Sequence, residues 1–397
     1  MRELNTDIVI VGAGIAGLWM LNSLTKQGFD VLLLEADSIG GGQSIRSQGI
    51  IHGGMKYALN GVLSQASDAI KEMPARWKQC LAGEGDIDLS DVTTLSSAHY
   101  LWSQRSLGAK ITSFFAKKSM SGRVDSVANA DYPAVFQHPE FKGNLYKLNE
   151  IVLDTPSVFK QLTYKLAARI LKVDTKNCQW HRDSAQNITG LICEQQQLNI
   201  NAQRFIFAAG EGNGAILDAL NITALQMQLR PLHMAVVTHR TNLPIYAHCI
   251  GASSKPLVTI THHINADGSF TWYYGGNIAE TGVERDTLQQ IGAAQALTEK
   301  LLPWVTLEAP QWTSLRVNRA EPKQSSLSRP DCAYLHSEGN YVVAWPTKLA
   351  LAPDLSDKVI ALFKQQQLTP KNMIPNSSLS ELSHPEIAIP AWGDSNA

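Results

Sequence analysis

Asp7-Ile-Val-Ile-Val-Gly-Ala-Gly-Ile-Ala-Gly17 is the stretch that decides the fold. After the aspartate, its first residues are apolar and β-branched, which predicts a short buried strand. The glycines follow at once, and the largely apolar run from Leu18 to Lys26 predicts a helix. Val31 to Leu34 is a second apolar strand. The opening of the chain therefore predicts a Rossmann-like β-α-β unit.

The spacing of Gly12, Gly14 and Gly17 is that of a dinucleotide-binding turn. The first glycine permits the tight turn, the second lets the backbone approach a pyrophosphate, and the third lets the helix pack on its strand. The helix N-terminus then offers free N–H groups to the anion. Glu35 ends the second strand, where an acid binds the ribose, and its charge would repel a 2′-phosphate. FAD or NAD is therefore expected; the alternative is an ordinary β-α-β unit with chance glycines.

A second glycine-rich stretch, from Gly40 to Tyr57, contains six glycines. Such a backbone passes close to another group or adopts positive φ repeatedly. An NAD-dependent dehydrogenase has no need of this loop, whereas a flavoenzyme needs the chain to travel from the ribose to the isoalloxazine ring. The alternative, a flexible surface loop, agrees poorly with apolar Ile50, Ile51 and Met55. The loop therefore favours FAD.

This loop resembles the D-amino-acid oxidase/glycerol-3-phosphate dehydrogenase superfamily of FAD-dependent oxidoreductases, and most closely its glycerol-3-phosphate and L-2-hydroxyglutarate dehydrogenase branches. The glycerol-3-phosphate branch usually has Arg where this chain has Lys56, and Lys lacks the bidentate fork that suits a phosphate. Relatives with covalent flavin carry a His at the position of Arg46, so the resemblance implies non-covalent FAD. The branches share a Ser-x-Gly-hydrophobic-hydrophobic-His-Gly-Gly-hydrophobic-basic-Tyr pattern, matched here by Ser47, Gly49, Ile50, Ile51, His52, Gly53, Gly54, Met55, Lys56 and Tyr57.

The resemblance implies an α/β chain, α+β overall, in which a Rossmann-like FAD-binding domain carries an inserted antiparallel-sheet substrate domain. In the family, one side of the inserted sheet forms the roof over the substrate. The expected division gives residues 1–85, 147–222 and 313–364 to the FAD-binding domain, 86–146 and 223–312 to the substrate domain, and 365–397 to a C-terminal tail.

Local patterns predict the elements of these domains. A helix is expected over residues 60–81, where Pro74 should kink or end it, and another over 156–169 behind an N-cap at Asp154 or Thr155. Alternating residues predict strands of the inserted sheet at 233–240, 257–263 and 269–274, with Asn265 to Gly268 as a hairpin turn.

Composition bounds the remaining possibilities. With 397 residues, 44% of them hydrophobic, the chain can form two cores, and its net charge of -1 gives no reason to expect a nucleic-acid partner. Five scattered cysteines without a CxxC or metal-ligand spacing predict reduced thiols, no metal site and a cytoplasmic location. The polar N-terminus does not resemble a signal peptide, and no apolar run could span a bilayer. Peripheral membrane contact stays open.

A further glycine motif, Gly210 to Ala215, follows the predicted strand 204–209 and matches the GxGxxA form of a second dinucleotide site. No strand ending in an acid follows at the expected distance, where Gln226 to Arg230 stands instead. We therefore expect one nucleotide site, with the electrons supplied by the substrate. The resemblance and the motifs together predict FAD contacts from Gly12, Gly14, Ile15, Ala16, Gly17, Glu35, Ala36, Gln43, Ser44, Arg46, Ser47, Gly49, Ile51, Val173, Ala208, Ala209, Gly210, Thr347, Lys348 and Leu349.

Flavin chemistry asks the protein for an anchor, a base and a positive charge near the reduced ring. Arg319 is the expected anchor of a substrate carboxylate, with Arg316 second; the alternative is a structural ion pair to Glu321 or Asp331. His52 is the expected base, and shaping the loop is its alternative role.

Two further catalytic residues complete the expected site. Lys348 is expected at the flavin carbonyl, with a surface lysine as the alternative, and Tyr274 is expected in the roof. His233, His262, His263 and Tyr273 are held in reserve, each of them more commonly a structural residue of a sheet.

The expected function is oxidation of a CH–OH or CH–NH bond of a small anionic substrate of 2-hydroxy acid or amino acid type. Oxygen or a quinone would reoxidise the flavin. One alternative is an NAD(P)H-dependent flavin reductase or monooxygenase. Another is a non-catalytic flavin-binding protein, since the turn Trp345-Pro-Thr-Lys348 differs from the glycine-rich turn of the family.

Overall fold

The computed structural model describes residues 1–54, 66–103, 124–251, 256–323 and 332–392 of the chain, with side chains from residue 69 onward in the second range. The loop residues Met55, Lys56 and Tyr57 and the acid Asp331, all singled out above, lie outside these ranges. So does the first part of the helix expected over 60–81.

The first sheet is parallel at its centre and has eight strands. They are β1 (Arg2–Val11), β2 (Val31–Glu35), β9 (Ile170–Lys172), β10 (Gln179–Arg182), β11 (Ile188–Cys193), β12 (Leu198–Phe207), β18 (Tyr334–Glu338) and β19 (Tyr341–Trp345). β1 lies between β2 and β12 and is parallel to both, and β9 and β19 continue the parallel arrangement outward. The carboxyl ends of these strands therefore meet at one edge, where sheets of this kind bind their ligands.

Helices cover the apolar faces of this sheet and of the second sheet that is described below. Those in the described part of the chain are α1 (Ile15–Lys26), α2 (Ala66–Leu81), α3 (Thr155–Tyr164), α4 (Asn213–Ala219), α5 (Asn277–Thr281), α6 (Thr287–Leu301), α7 (Ala352–Gln365) and α8 (Asn376–Leu379). α1 packs against α3 and α7, and the ring of Trp19 on α1 lies 4.7 Å from that of Trp77 on α2. Asp154 caps α3 by accepting the N–H of Ser157, as expected.

The start of α1 is fixed by a close backbone contact. A Cβ on Gly17 would lie 1.9 Å from the carbonyl oxygen of Gly12, so no side chain fits there. Gly12 has φ +106, and a Cβ on it would lie 2.5 Å from Cα of Ala209, two residues after β12. Both glycines are therefore required for helix, turn and neighbouring strand to meet.

The second sheet also has eight strands, in the order β17-β13-β16-β15-β14-β5-β7-β6. They are β5 (His99–Ser103), β6 (Val124–Ser126), β7 (Asn144–Leu148), β13 (Met227–His239), β14 (Ala247–Ile250), β15 (Pro256–Ile264), β16 (Phe270–Gly275) and β17 (Gln311–Pro322). The expected hairpin at 265–268 joins β15 and β16. One face packs on α6 through a core that contains Trp272 and Tyr274. We call the opposite face, which turns toward the first sheet, the roof.

Small elements tie the two sheets together. β3 (Ile50–Ile51), β4 (Thr94–Ser96) and β8 (Ile151–Leu153) form a three-stranded sheet in the order β3-β8-β4. The C-terminal segment is not loose where it is described, because Ile387 bridges to Ile39 and the buried ring of Trp392 stacks on His263 at 3.8 Å. The segment is therefore a strap across both parts of the molecule.

Three sequence expectations differ from the structure. Residues 313–322, expected with the FAD-binding domain, belong to β17, which pairs with β13 along its whole length. α2 continues through Pro74, so of the two expected effects of this proline, a kink or an end, the end is wrong. Cys178 and Cys193, expected as reduced thiols, form a disulfide, because the pairing of β10 with β11 places them opposite each other with Cα atoms 4.4 Å apart. The expectation of a cytoplasmic location therefore no longer has uniformly reduced cysteines to support it. The rest of the domain division stays a prediction.

Among the described helices, none is long and apolar enough to cross a membrane.

Substituting Gly17 should test the contact between α1 and the turn. In Gly17→Ala the new Cβ meets the carbonyl oxygen of Gly12, and we expect the free energy of unfolding to fall by roughly 1–3 kcal/mol. Gly292→Ala is the matched control, because Gly292 is exposed in α6 and nothing lies within 4 Å of its Cβ position. That variant should gain about 0.5–1 kcal/mol. Urea unfolding measures the free energy of unfolding of both variants. Equal changes in the two would contradict the role assigned to the contact between Gly17 and Gly12.

Buried histidines of the second sheet should make the protein acid-labile. Burial lowers the pKa of His239 and of His262 from 6.5 to about 4 and that of His263 to about 3. The unfolded chain therefore binds more protons between pH 6.5 and 4, and stability is lost as the pH falls through this window. Over this pH range, each of these imidazoles lowers the free energy of unfolding by up to about 3 kcal/mol.

The variant His262→Phe should flatten this dependence, because the ring lies beside Phe270 in an aromatic cluster that accepts a phenyl group. Unfolding measured at pH 6.5 and 4.5 should show a smaller loss in the variant than in the parent. His181→Gln, at an exposed position on β10, is the control. Parallel stability curves for parent and His262→Phe would contradict the prediction.

Candidate cofactor and substrate site

A cavity of about 540 Å³ lies at the edge where the parallel strands end. Its volume is within the range of about 300–1,000 Å³ that is usual for ligand sites. It is bordered by the turns after β1, β2, β9, β12 and β19 and by the glycine-rich loop from Gly40 to Ser47. The position is the one that the doubly wound topology predicts.

The glycine turn and Glu35 are joined by hydrogen bonds on one side of this cavity. Oε2 of Glu35 accepts the N–H of Ala13 at 2.7 Å, and its Oε1 accepts the N–H of Asp37 at 3.0 Å. Burial raises the pKa of the Glu35 carboxyl, although these N–H groups act in the opposite direction. Ser44 Oγ accepts the N–H of Ile15 at 3.1 Å, so the second loop is fixed to the start of α1. The acid, the helix N-terminus and the glycines thus suit a dinucleotide with a free ribose hydroxyl.

Most of the expected cofactor residues line this cavity. Three do not. Gly17 is packed beneath the turn, while Gly49 and Ile51 lie beside and in β3, against β8. Those that do line it are Gly12, Gly14, Ile15, Ala16, Glu35, Ala36, Gln43, Ser44, Arg46, Ser47, Val173, Ala208, Ala209, Gly210, Thr347, Lys348 and Leu349.

The cavity also has lining residues that sequence reasoning missed. They include Asp37, Asp174, Lys176 and Asn318. Asp37 and Asp174 follow β2 and β9 within two residues, so the rule that ligands bind beyond the carboxyl ends of parallel strands could have found them. Asn318 could not be found in this way, because it belongs to β17 of the other sheet.

The roof is hydrogen-bonded to the glycine-rich loop. Gln48 Nε2 donates to the carbonyl oxygens of Tyr273 at 2.9 Å and Thr259 at 3.2 Å. The hydroxyl of Tyr273 donates in return to the carbonyl oxygen of Arg46 at 2.9 Å. The strands β15 and β16 are therefore held directly over the loop that borders the cavity.

His52, the expected base, does not line the cavity but lies beyond the loop beside a buried carboxylate. Its Nδ1 is 3.1 Å from Oε2 of Glu150, and the N–H of Gly53 donates to Oε1 at 2.9 Å. Burial opposes the charged form of Glu150, but His52, His99 and the N–H of Gly53 outweigh it and hold the pKa of this carboxyl below its ordinary value. Sequence reasoning missed Glu150, which stands 98 residues from its partner.

Two roof histidines join this pair. The ring of His248 on β14 is stacked 5.8 Å from that of His52, and the ring of His99 on β5 lies 4.1 Å from that of His248. His248 Nδ1 is 2.6 Å from Oγ1 of Thr259. We call His52, Glu150, His99 and His248 the histidine cluster.

Lys348 is buried, with 5% of its surface exposed, and lines the cavity. It follows Thr347, which adopts φ +60 and donates from Oγ1 to the carbonyl oxygen of Cys332 at 3.1 Å. Trp345 Nε1 donates to the carbonyl oxygen of Gly210 at 3.1 Å. Although it lacks glycines, the turn after β19 therefore borders the cavity beside the turn after β12. The surface-lysine alternative is wrong for Lys348.

The two arginines expected as anchors are both engaged by the protein. Arg319 Nη1 lies 3.8 Å from Oε1 of Glu280, and it does not line the cavity. Glu321, one of its two expected structural partners, pairs instead with Arg230, and the other, Asp331, lies outside the described residues. Arg316 lines the cavity, but its guanidinium donates to the carbonyl oxygens of Val283 and Arg285 at 3.0 and 2.7 Å. These contacts favour structural roles.

Tyr274, expected in the roof, faces the other way. Its hydroxyl lies 3.1 Å from Oγ1 of Thr298 on α6, inside the apolar core of the second sheet. Because side chains alternate along a strand, Tyr273 is the tyrosine on the roof. Of the other reserve candidates, His233 is bonded to Gly282 and Ser314, and His263 is stacked beneath Trp392.

Comparison with known proteins identifies close relatives. The family model described as FAD dependent oxidoreductase (DAO) matches residues 7–340. A Pseudomonas aeruginosa protein named "Probable FAD-dependent oxidoreductase PA4991" is 47% identical over 392 residues, which are 98% of this chain and 98% of that protein. The crystal structure of PA4991 has a TM-score of 0.85 with this fold at 41% identity, covering 99% of this chain and 98% of that one.

More distant structures share the fold. Glycine oxidase from Geobacillus kaustophilus has a TM-score of 0.67 at 13% identity, over 95% of this chain and 98% of that one. L-alpha-glycerophosphate oxidase from Mycoplasma pneumoniae, solved with FAD bound, has a TM-score of 0.66 at 13% identity, over 95% and 98% of the two chains. The predicted fold class is therefore confirmed.

Gly12→Ala should yield protein that does not retain FAD. Alanine is strained at φ +106, and its Cβ would collide with Ala209, so the turn must move away from the pyrophosphate position. We expect less than about a tenth of the parent's flavin absorbance per chain after purification, in line with a loss of more than about 1.4 kcal/mol of binding free energy. Gly42→Ala is the control, because Gly42 borders the same cavity with nothing within 4 Å of its Cβ position. Equal flavin content in both variants would contradict the prediction.

Proposed function

The chain belongs to the DAO family of FAD-dependent oxidoreductases, and on this basis we propose that it oxidises a CH–OH or CH–NH bond of a small anionic molecule. Membership of the family makes it an enzyme whose cofactor is FAD. Arg46, which stands where relatives with covalent flavin carry a His, supports a non-covalent link. The proposed substrate is of the 2-hydroxy acid or amino acid type. The observation that carries the proposal is the histidine cluster. It lies on one side of the glycine-rich loop, and the dinucleotide cavity lies on the other.

The cavity fits FAD because its glycines exclude side chains where a pyrophosphate would lie and its acid is aligned by the N–H of Ala13. FAD bound there would accept the hydride that the substrate loses. The protein must then provide for the proton of the hydroxyl or amine. His52 and Glu150 are suited to this, since a buried carboxylate 3.1 Å from Nδ1 fixes the orientation of the imidazole.

Lys348 is the proposed positive group near the reduced flavin. Its burial and its place in the cavity lining support this role, because a charge in a water-poor site acts more strongly than one in water. Arg319 was expected to bind the substrate carboxylate. Its ion pair with Glu280 makes this role less well supported than it was from the sequence. Lys56, the charged residue of the loop motif, lies outside the described residues.

The second glycine motif bears on the reductase alternative. Gly210 and Gly212 line the same cavity as Gly12 and Gly14, so both motifs contribute to one site. This favours a substrate-driven enzyme over one that also binds NAD(P)H. Oxygen or a quinone is the proposed electron acceptor and the cytoplasm the proposed location.

Anaerobic titration of the natively purified protein tests this function. We expect the flavin absorbance band to be bleached by at least one compound from a panel of 2-hydroxy acids and amino acids, and to persist when NADH or NADPH is added alone. Glycerol 3-phosphate belongs in the panel as an anionic alcohol without a carboxylate. Bleaching by glycerol 3-phosphate alone would contradict the carboxylate class.

Two other outcomes would overturn the proposal. Bleaching by NAD(P)H alone would make the protein a flavin reductase or monooxygenase. A bound flavin that no panel member reduces would favour the non-catalytic alternative.

A further inference from the structure

Three possible metal ligands converge from distant parts of the chain. His52 follows β3, Glu150 precedes β8, and His248 lies on β14 of the second sheet. One donor atom from each residue lies within 4.8 Å of the others. No metal was expected from the sequence, because ligands at positions 52, 150 and 248 form no local spacing motif.

Two of the three side chains also contact a further protein group that fixes their orientation, as metal ligands usually do. Glu150 receives the N–H of Gly53 on Oε1, which leaves Oε2 directed at His52. His248 Nδ1 lies 2.6 Å from Thr259 Oγ1, and this contact fixes the position of the ring. Such contacts fix the tautomer and the orientation of a metal-binding imidazole.

Burial and charge also suit a cation. Glu150 and His248 are buried at 2% and 3% exposure, whereas His52 is partly exposed. A buried carboxylate is retained when a positive charge or a metal compensates it. Solvent therefore reaches this group from the side of His52.

We propose that His52, Glu150 and His248 bind a divalent transition-metal ion, with Zn²⁺ as the first candidate. Two imidazoles and one carboxylate are the protein ligands of many catalytic zinc sites, which keep a further position open. Bonds of about 2.0–2.2 Å in a tetrahedral site place the donors about 3.4 Å apart. The 3.1 Å between His52 Nδ1 and Glu150 Oε2 is close to this value. Because the three donor atoms all lie within 4.8 Å of one another, His248 has to approach by no more than about 1.4 Å.

The chemical role of this metal rests on the proposed function. A substrate hydroxyl bound at the open position would have its pKa lowered by the cation, so that the O–H bond breaks and the proton leaves to water. The metal then takes over the removal of the proton that is assigned to His52 above, and His52 and Glu150 hold the metal instead. Both proposed substrate types can bind one such ion through two atoms, a 2-hydroxy acid through its hydroxyl and carboxylate oxygens and an amino acid through its amine and carboxylate.

Metal analysis of the natively purified protein is the first test. We expect about one equivalent of zinc, or of iron, per chain by inductively coupled plasma mass spectrometry after purification without chelator or affinity metal. After chelation and dialysis, calorimetric titration with Zn²⁺ should show one site. Absence of both metals from the native protein together with no binding in the titration overturns the proposal.

Variants locate the site without relying on activity. Glu150→Gln and His248→Gln should each lose the bound metal, with FAD absorbance and circular dichroism confirming that the chain has folded. Thr259→Val removes only the group behind His248 and should weaken Zn²⁺ binding about 10–100-fold. Thr271→Val, on β16 of the same sheet beside Thr238, is the matched control. Equal Zn²⁺ affinity in the two threonine variants, or full metal content in His248→Gln, overturns the assignment.

The failure of this proposal can be told apart from failure of the proposed function. A metal-free protein whose flavin is bleached by a panel substrate keeps the function and loses the metal site. A metal-containing protein whose flavin no panel member reduces keeps the site and loses the function.

Discussion

The rest of the structure depends on the contact between the backbone of α1 and the turn after β1. Because Gly17 has no side chain, the helix can start directly against the carbonyl of Gly12. This start aims the N–H groups of the helix at the cavity and brings the N–H of Ala13 to Glu35 on the neighbouring strand. Helix, strand order and cofactor site are thus fixed together, and a side chain at either glycine would disturb all three.

Local chemistry predicted the fold wherever one segment contains the whole signal. The glycine turn, the hairpin at 265–268 and the cap at Asp154 are of this kind, and each was found where expected. The sequence failed where a partner far along the chain decides the outcome. β17 joins the second sheet because β13 offers it a full-length edge, and Cys178 meets Cys193 because two strands pair in that register. Neither partner can be inferred from the segment itself.

The candidate site divides in the same way. Its cofactor part lies at the ends of parallel strands and was largely predictable from apolar runs followed by small residues. Its catalytic part was not. A shift of one residue on β16 decides whether Tyr273 or Tyr274 faces the roof, and a run of aromatic residues gives no alternation from which to choose. Glu150 was missed because a single acid at the end of a loop has no pattern until the fold places it beside His52.

This division explains why resemblance identified the cofactor and left the substrate open. The N-terminal motif carries its own geometry, since the glycines and Glu35 lie within one β-α-β unit. The residues of the histidine cluster instead come from separate parts of the chain. His52 belongs to the loop motif, Glu150 precedes β8, and His248 lies on β14 of the second sheet. Gln48 holds these parts in register by bonding the loop to β15 and β16. Substitutions in the second sheet can therefore change the residues that face the glycine-rich loop, while the loop and the cofactor cavity stay the same. Two chains with the same loop motif can thus act on different substrates.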